Sequence, residues 1–204
     1  MIRRLVLQSL DVQRGERILF EGLNLDLAAG QAVTLTGPNG AGKTSLLRVV
    51  AGFIAPLHGS VRFEAATGAL EPGEARRADC HFLGHQDGLK TARTARDELV
   101  FWARWTGSSP AGIIAAAERM GVDRLLDLEV RQLSAGQRRR LVLARLIAAP
   151  RSLWLLDEPL SPLDGASRGL FGDIMAAHLD SGGLILAAAH DPLPMSGREL
   201  ALRR

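Results

Sequence analysis

The sequence contains no tyrosine, one cysteine and only two lysines, Lys43 and Lys90, among its 204 residues. A lone Cys80 excludes an internal disulfide framework and agrees with a reducing compartment, where its simplest role is that of a small buried hydrophobe. No apolar run approaches the roughly 20 residues of a membrane-spanning helix; the longest, such as Leu184 to Ala189, fall far short. The N-terminal stretch MIRRLVLQSLDVQR is broken by Gln8, Ser9 and Asp11 before any small-residue cleavage site, so no secretory signal is expected. There is no internal repeat and no low-complexity linker. Of the 25 basic side chains 23 are arginine, which lifts the pI to about 9.9 while the net charge is only +3. An excess this small argues against a nucleic-acid partner.

What is present is a globular composition, 47% hydrophobic and 23% charged, in a length that suits one α/β domain. Ala32 to Thr36 reads as a strand that stops at Gly37, and Ser45 to Ala51 carries a helical pattern closed by Gly52. Short apolar runs at Val61 to Phe63, His81 to Leu83, Leu153 to Leu156 and Leu184 to Ala188 read as further buried strands of a mostly parallel sheet. Between about residues 91 and 150 the texture turns helical. Ser109-Pro110 supplies an N-cap and a first-turn proline, with Gly121 as the stop. Ser134 caps a longer run that ends at Pro150, since proline cannot continue a helix.

Three motifs carry chemistry. Gly37-Pro38-Asn39-Gly40-Ala41-Gly42-Lys43-Thr44 fits the phosphate-loop pattern at every fixed position, between a strand and a helix. Its glycines let backbone N–H groups curl around phosphate oxygens, Lys43 reaches the outer phosphates and Thr44 offers a hydroxyl to Mg²⁺. Leu153-Trp-Leu-Leu-Asp157-Glu158 is an apolar strand ending in two acids at the carboxyl edge of the sheet, which suits Asp157 to the Mg²⁺ shell and Glu158 to polarising the attacking water. Leu133-Ser134-Ala135-Gly136-Gln137 opens the long helix, with Ser134 standing 91 residues after Lys43 and Gln137 20 before Asp157.

The third motif resembles the signature of ATP-binding-cassette (ABC) ATPases, and with the other two it covers nearly the whole chain. The resemblance implies a P-loop NTPase fold: a RecA-like core at about residues 1–87 and 151–204 with a mostly parallel sheet and N-terminal antiparallel strands, and a helical subdomain at about 88–150. It also implies that Gln86 senses Mg²⁺ and water, that Ser161-Pro-Leu-Asp164 is a D-loop, and that His190 contacts the γ-phosphate. ATP and Mg²⁺ are the cofactors it implies. Gly37 through Ser45 would hold the nucleotide, together with Ser134, Gly136, Gln137 and Asp164; Thr44, Gln86 and Asp157 would serve the metal, and Glu158, His190 and Gln86 the catalysis. Members of the family work as head-to-tail, ATP-dependent dimers in which Ser134 and the backbone near Gly136 of one subunit close over ATP held by Lys43 of the other. Two departures stand out. Ala135 replaces the more usual first glycine of the signature, and Arg14 lies where many relatives place an aromatic residue against adenine.

The strings GPNGAGKTSLLRVVAGFIAP, FLGHQDGLK, LSAGQRRRLVLARL and WLLDEPLSPLD are similar to the CcmA family, the ATPase subunits of cytochrome c maturation systems. That likeness implies a peripheral protein on the cytoplasmic side of the bacterial inner membrane. Its partners would be a CcmB-like transmembrane subunit with CcmC- and CcmD-like proteins, and its task haem export or release of a haem-loaded chaperone. The ATPase of another small-substrate transporter is one alternative; a soluble ABC protein acting on nucleic acid or ribosomes is another, which predicts a tandem cassette or a long basic arm that this chain does not show. Only 14 residues follow His190, so the regulatory domain common on importer ATPases is not expected. Three further groups have plainer readings. Cys80, His81 and His85 lie on a strand running into a loop, where positions i and i+4 do not share a helical face, so they are not expected to bind metal. Phe101 and Trp105, spaced for one helix face, suit core packing or, alternatively, anchoring to a membrane partner. Arg138 to Arg140 are expected to form a solvated or phosphate-facing patch.

Overall fold

In the computed structural model, which describes residues 1–107 and 109–202, the elements begin with β1 (Arg4–Arg14), β2 (Arg17–Ala28), β3 (Ala32–Thr36), α1 (Lys43–Val50), β4 (His58–Ala65) and β5 (Gly68–Leu70). They continue through α2 (Pro72–Asp79), β6 (Cys80–Leu83), α3 (Ala95–Thr106), α4 (Pro110–Arg119), α5 (Ala135–Ala148), β7 (Leu153–Asp157), α6 (Gly165–Asp180), β8 (Leu184–Ala188) and β9 (Arg198–Ala201). They divide into two units: residues 1–84, 151–159 and 174–204 form one, and residues 85–150 and 160–173 the other.

The first unit holds both sheets. A parallel sheet runs β6-β7-β8-β3-β9, and an antiparallel sheet runs β2-β1-β4-β5. Every residue of β7 and β8 is buried, which is why both read as continuous apolar runs: a central parallel strand is covered on both faces. In β1, by contrast, Leu5, Leu7, Leu10 and Val12 face the core while polar neighbours face out, the period of two expected of a half-covered strand. The alternation slips between Leu7 and Leu10, where the pairing register shifts and Ser9 takes a φ of 45°. Val61 to Phe63 also belong to this antiparallel sheet, within β4, and not to the parallel one; the run is apolar because Val61 and Phe63 point inward, which does not distinguish the two sheets.

Capping fixes the short helices of this unit. The Glu71 carboxylate accepts from the N–H groups of Gly73 and Glu74 at the start of α2, and those bonds hold its carboxyl below the usual carboxylate range. At the far end of α1, Arg76 Nε donates to the Val50 carbonyl at 2.8 Å. Cys80 is half-buried, and desolvation pushes its thiol up to about 12, so it behaves as a hydrophobe. The His178 ring stacks on Trp154 with centroids 3.9 Å apart, and its Nε2 lies 3.4 Å from the Leu184 carbonyl. Burial keeps that imidazole below its ordinary pKa.

The second unit is helical. Thr94 and Asp97 form a reciprocal capping box at α3, Ser109 caps α4, and Gly107 closes α3 in the left-handed conformation. Segment 160–173 packs with this unit, whereas the sequence expectation placed all of 151–204 in the core; Pro162, whose carbonyl lies beside Gly136, ties it to the start of α5.

Candidate functional site

The phosphate-loop motif forms the turn from β3 into α1. Gly37, Gly40 and Gly42 have φ of 132°, 79° and 103°, values that an L side chain adopts only under strain. Space excludes a side chain as well. A Cβ on Gly37 would stand 2.6 Å from the Leu202 carbonyl oxygen, and one on Gly42 2.9 Å from the Phe20 ring. Pro38, Asn39 and Ala41 fill the loop between them, and Ala41 is buried.

Helix α1 has no acid in its first turn and starts without a side-chain cap; the cap sets it apart from α3, α4 and α5, whose N-cap side chains accept backbone N–H groups. Its first N–H groups are therefore left for an anion, which the glycine turn lets approach closely. Lys43, almost fully buried, donates from Nζ to the Gly37 carbonyl at 2.6 Å, so the ammonium stays at the mouth of its own loop. Ser45, next along the helix, is buried.

Thr44 and Asp157 meet across the sheet edge. The Thr44 hydroxyl lies 3.0 and 3.1 Å from the two Asp157 carboxylate oxygens, and Asp157 is 3% exposed at the end of β7. Glu158 follows in the left-handed region, φ 50°, with its N–H donating to the Ala188 carbonyl at 2.9 Å. An αL residue with a side chain costs about 1 to 2 kcal/mol, a strain held here by the ladder with β8. The turn directs the carboxylate toward His190: Oε2 accepts from the His190 backbone N–H at 3.4 Å, and Oε1 is 3.7 Å from the ring Nε2. One unit thus brings together the phosphate loop, a buried acid, a half-exposed acid and an imidazole.

Among the described residues no group of three or more His, Cys, Asp or Glu side chains could hold a metal by itself. The Thr44 hydroxyl and Asp157 carboxylate offer hard oxygen donors beside the phosphate turn. Mg²⁺ suits such a pair, because it takes few protein ligands and completes its shell with water and phosphate.

The remaining predicted residues lie in the helical unit. Ser134 Oγ accepts from the Gln137 N–H at 3.2 Å, and Gln137 Oε1 accepts from the Ser134 N–H at 2.8 Å, so the signature opens α5 as a complete capping box. Gly136 sits in the first turn, open enough that a Cβ there would only touch the Pro162 carbonyl at 3.8 Å. Asp164 caps α6 by accepting from the Ser167 N–H at 2.8 Å, and that bond holds its carboxyl below the usual range. Gln86 is exposed on the loop after β6.

Two expectations fail here. Arg138 to Arg140 do not form a solvated patch: successive helical residues point about 100° apart, and the middle one, Arg139, is 1% exposed and pairs with Asp87. Phe101 and Trp105 do not pack in the core; they are 44% and 74% exposed, while Leu99 and Ala103 take the inward positions of α3. Sequence reasoning also missed that the end of the chain lines the phosphate loop, through Leu202, because RELAL carries no strand-like run of apolar residues.

The ABC transporter family model matches residues 20–161. The chain belongs to this family of ATP-binding proteins. It is 44% identical to the cytochrome c biogenesis ATP-binding export protein CcmA of Rhizobium meliloti, over 95% of this chain and 94% of that one. It is 47% identical to the protein of the same name from Nitrobacter winogradskyi, over 93% and 92% of the two chains. Among solved structures, an ABC transporter ATP-binding protein from Pyrococcus furiosus superposes with a TM-score of 0.83 at 22% identity, covering 98% of this chain and 97% of that one. A bacterial Atm1-family ABC exporter with ATP bound gives 0.80 at 22% identity, over 93% of this chain and 35% of the exporter. At these identities the structural likeness speaks for the fold alone.

Proposed function

We propose that this chain is the ATP-hydrolysing subunit of a membrane complex for cytochrome c biogenesis, where it powers haem export or release of a haem-loaded chaperone. The observation that carries the reading is a phosphate loop and a Glu158–His190 pair in one unit of a chain whose relatives, at 40 to 47% identity, bear the cytochrome c biogenesis name. ATP is the substrate. The α1 N-terminus and Lys43 take its phosphates, Lys43 exchanging the Gly37 carbonyl for phosphate oxygen, while Thr44 and Asp157 hold Mg²⁺ with Gln86. When bound, Mg²⁺ supplies charge neutralisation on the phosphate oxygens. Glu158 orients and polarises the attacking water, and His190 donates a hydrogen bond to the γ-phosphate.

Ser134, Gly136 and Gln137 close over the nucleotide of a second copy, in a head-to-tail homodimer that ATP holds together and hydrolysis releases. Asp164 contributes its D-loop position to the same assembly. No described helix is long and apolar enough to cross a membrane. By likeness to the cytochrome c biogenesis relatives, the transmembrane work falls to a CcmB-like subunit with CcmC- and CcmD-like proteins, and this chain sits on the cytoplasmic face of the inner membrane. The exposed Phe101 and Trp105 on α3 supply anchors for that docking.

The test is a strain whose sole copy carries Glu158→Gln. The complex is expected to assemble, haem-bound chaperone to accumulate and c-type cytochromes to disappear. Normal cytochrome c maturation with the variant protein present would reject the haem assignment and favour another small-substrate transporter.

A further inference from the structure

In the helical unit, the residue that follows Gln86 is gripped by two arginines, one buried and one half-buried. Arg139, 1% exposed, places Nη1 3.2 Å from Asp87 Oδ1, and Arg145 Nη2 donates to the Asp87 backbone carbonyl at 2.7 Å. Both rise from α5, the helix that the signature opens. The Arg145 guanidinium lies over the Trp102 ring, 4.7 Å from its centroid, and its buried Nε has no hydrogen-bond partner, nor does the buried Trp102 Nε1. Burial brings the Arg145 pKa down to about 10, although Glu98 and Asp87 pull the other way. Glu98 is itself buried and pairs with Arg93 at 3.5 Å.

Stability does not explain this arrangement. A buried guanidinium, and a half-buried one whose Nε–H is buried and unmatched, cost desolvation that well-packed apolar side chains of the same volume would avoid. What they achieve is geometric. They hold Asp87 by its side chain and by its main chain at once, from one helix, and stacking on Trp102 fixes the plane of the second guanidinium. An exposed loop residue whose neighbour is fixed at two points has its backbone, and so the origin of its side chain, set in advance.

We propose that Asp87, Arg139 and Arg145 are positioning residues for Gln86, presenting its amide in the orientation that ATP turnover requires. The proposal rests on the reading of Gln86 as the residue that meets Mg²⁺ and the attacking water. The experiment measures MgATP turnover, ATP affinity, Mg²⁺ dependence and melting temperature for the full chain and for Gln86→Ala, Asp87→Asn and the double variant. Gln86→Ala is expected to lower kcat by about 10- to 100-fold, the scale of a misplaced catalytic contact. Asp87→Asn should lower kcat by about tenfold with ATP affinity within about twofold and a higher half-saturating Mg²⁺, and the double variant should be no slower than Gln86→Ala alone. Arg145→Lys should retain more turnover than Arg145→Met, because it keeps a donor for the Asp87 carbonyl; this pair carries the test if Asp87→Asn does not fold.

Losses that multiply in the double variant, or lowered melting temperatures with unchanged kcat, overturn the positioning role. If Gln86→Ala is impaired while Asp87→Asn and Arg145→Met match the parent, positioning falls and the Gln86 reading stands. If Gln86→Ala itself turns over like the parent, the Gln86 reading fails and takes the proposal with it.

Discussion

The two units solve the same problem, holding polar groups in fixed places, by opposite means. In the sheet unit the candidate site side chains stand at strand ends and at the start of α1, and lean on one another or on the loop: Thr44 on Asp157, Glu158 on His190, Lys43 on the carbonyl of its own loop. Their positions are set by β-ladders whose central strands are wholly buried. In the helical unit the polar groups are placed by caps and by buried charge, with Ser134 and Gln137 closing a box at the surface and Arg139 and Arg145 reaching inward to Asp87. Ladders resist displacement because many bonds must break together, whereas a cap or an ion pair is worth roughly 1 to 3 kcal/mol and can be rearranged singly. Under the proposed function, the contrast puts the water-polarising Glu158 in the ladder-held unit and the contacts of Gln86 and Ser134 in the one held by caps and ion pairs.

The most severe way to break this contrast is Glu158→Gln. The amide keeps shape and hydrogen-bonding size but loses the charge that polarises water, so turnover should fall by about 10² to 10⁴-fold with nucleotide affinity nearly unchanged. A phosphate-release assay beside an equilibrium nucleotide titration measures both, and size-exclusion chromatography with ATP should show a trapped dimer. Wild-type turnover by the variant would remove Glu158 from the chemistry and with it the role given to the sheet unit.

Next in size is a pair of variants, one in each unit. Lys43→Ala should weaken nucleotide binding, whereas Ser134→Arg should leave binding to a single chain intact and abolish turnover. Mixed together, the two should regain activity that neither has alone, since one complete site forms from the good half of each. Confirmed heterodimers without any restored activity would mean that the sites are not shared.

Gly37→Ala sharpens the claim about rigidity. With φ at 132° and the Leu202 carbonyl 2.6 Å from the new methyl, the loop must move, at a cost of about 2 kcal/mol in stability and tenfold or more in nucleotide affinity. Chemical denaturation and nucleotide titration report the two effects separately. Unchanged affinity would show that the loop adapts more freely than its ladders suggest.

The smallest effect concerns His178. Because burial lowers its pKa in the folded chain, the unfolded chain takes up the proton first as pH falls below about 6.5. His178 therefore costs no stability above that pH, and its penalty grows as pH drops toward the depressed folded value. His178→Phe keeps the stack on Trp154 and removes the titration, so the stability difference between parent and variant should shift in favour of the variant between pH 6.5 and 5. A difference independent of pH would show that the imidazole titrates normally.

How much of this was legible in the sequence depended on how local the signal was. The phosphate loop, the signature box and the acids after β7 are runs of a few residues with fixed spacing, and the structure puts Lys43 at a helix start and Asp157 at a strand end as read. Helices α2 and α6 were not read: the first is short and polar, and the second carries Gly165, Gly169 and Gly172 in place of a clear apolar stripe. β9 is a strand because β3 has a free edge to pair with, a property of the sheet that four residues, RELA, cannot announce. Arg139 was misread for a related reason. A run of three arginines looks solvated until Asp87, 52 residues earlier, is known to face the middle one.

That edge strand has a mechanical meaning. β9 pairs with β3 along its length, the Leu202 N–H donates to the Thr36 carbonyl at 2.9 Å, and the Leu202 carbonyl stands against Gly37. Peeling β9 away would bare the edge of the strand that carries the phosphate loop and remove one wall of the loop itself. A disturbance of this strand at the surface, by a fused tag or a protease cut near Met195, is expected to reach the loop without anything entering it. β9 is thus an outer wall of the loop, and a label at its exposed Arg198 or Glu199 is expected to respond to the state of a site it never touches.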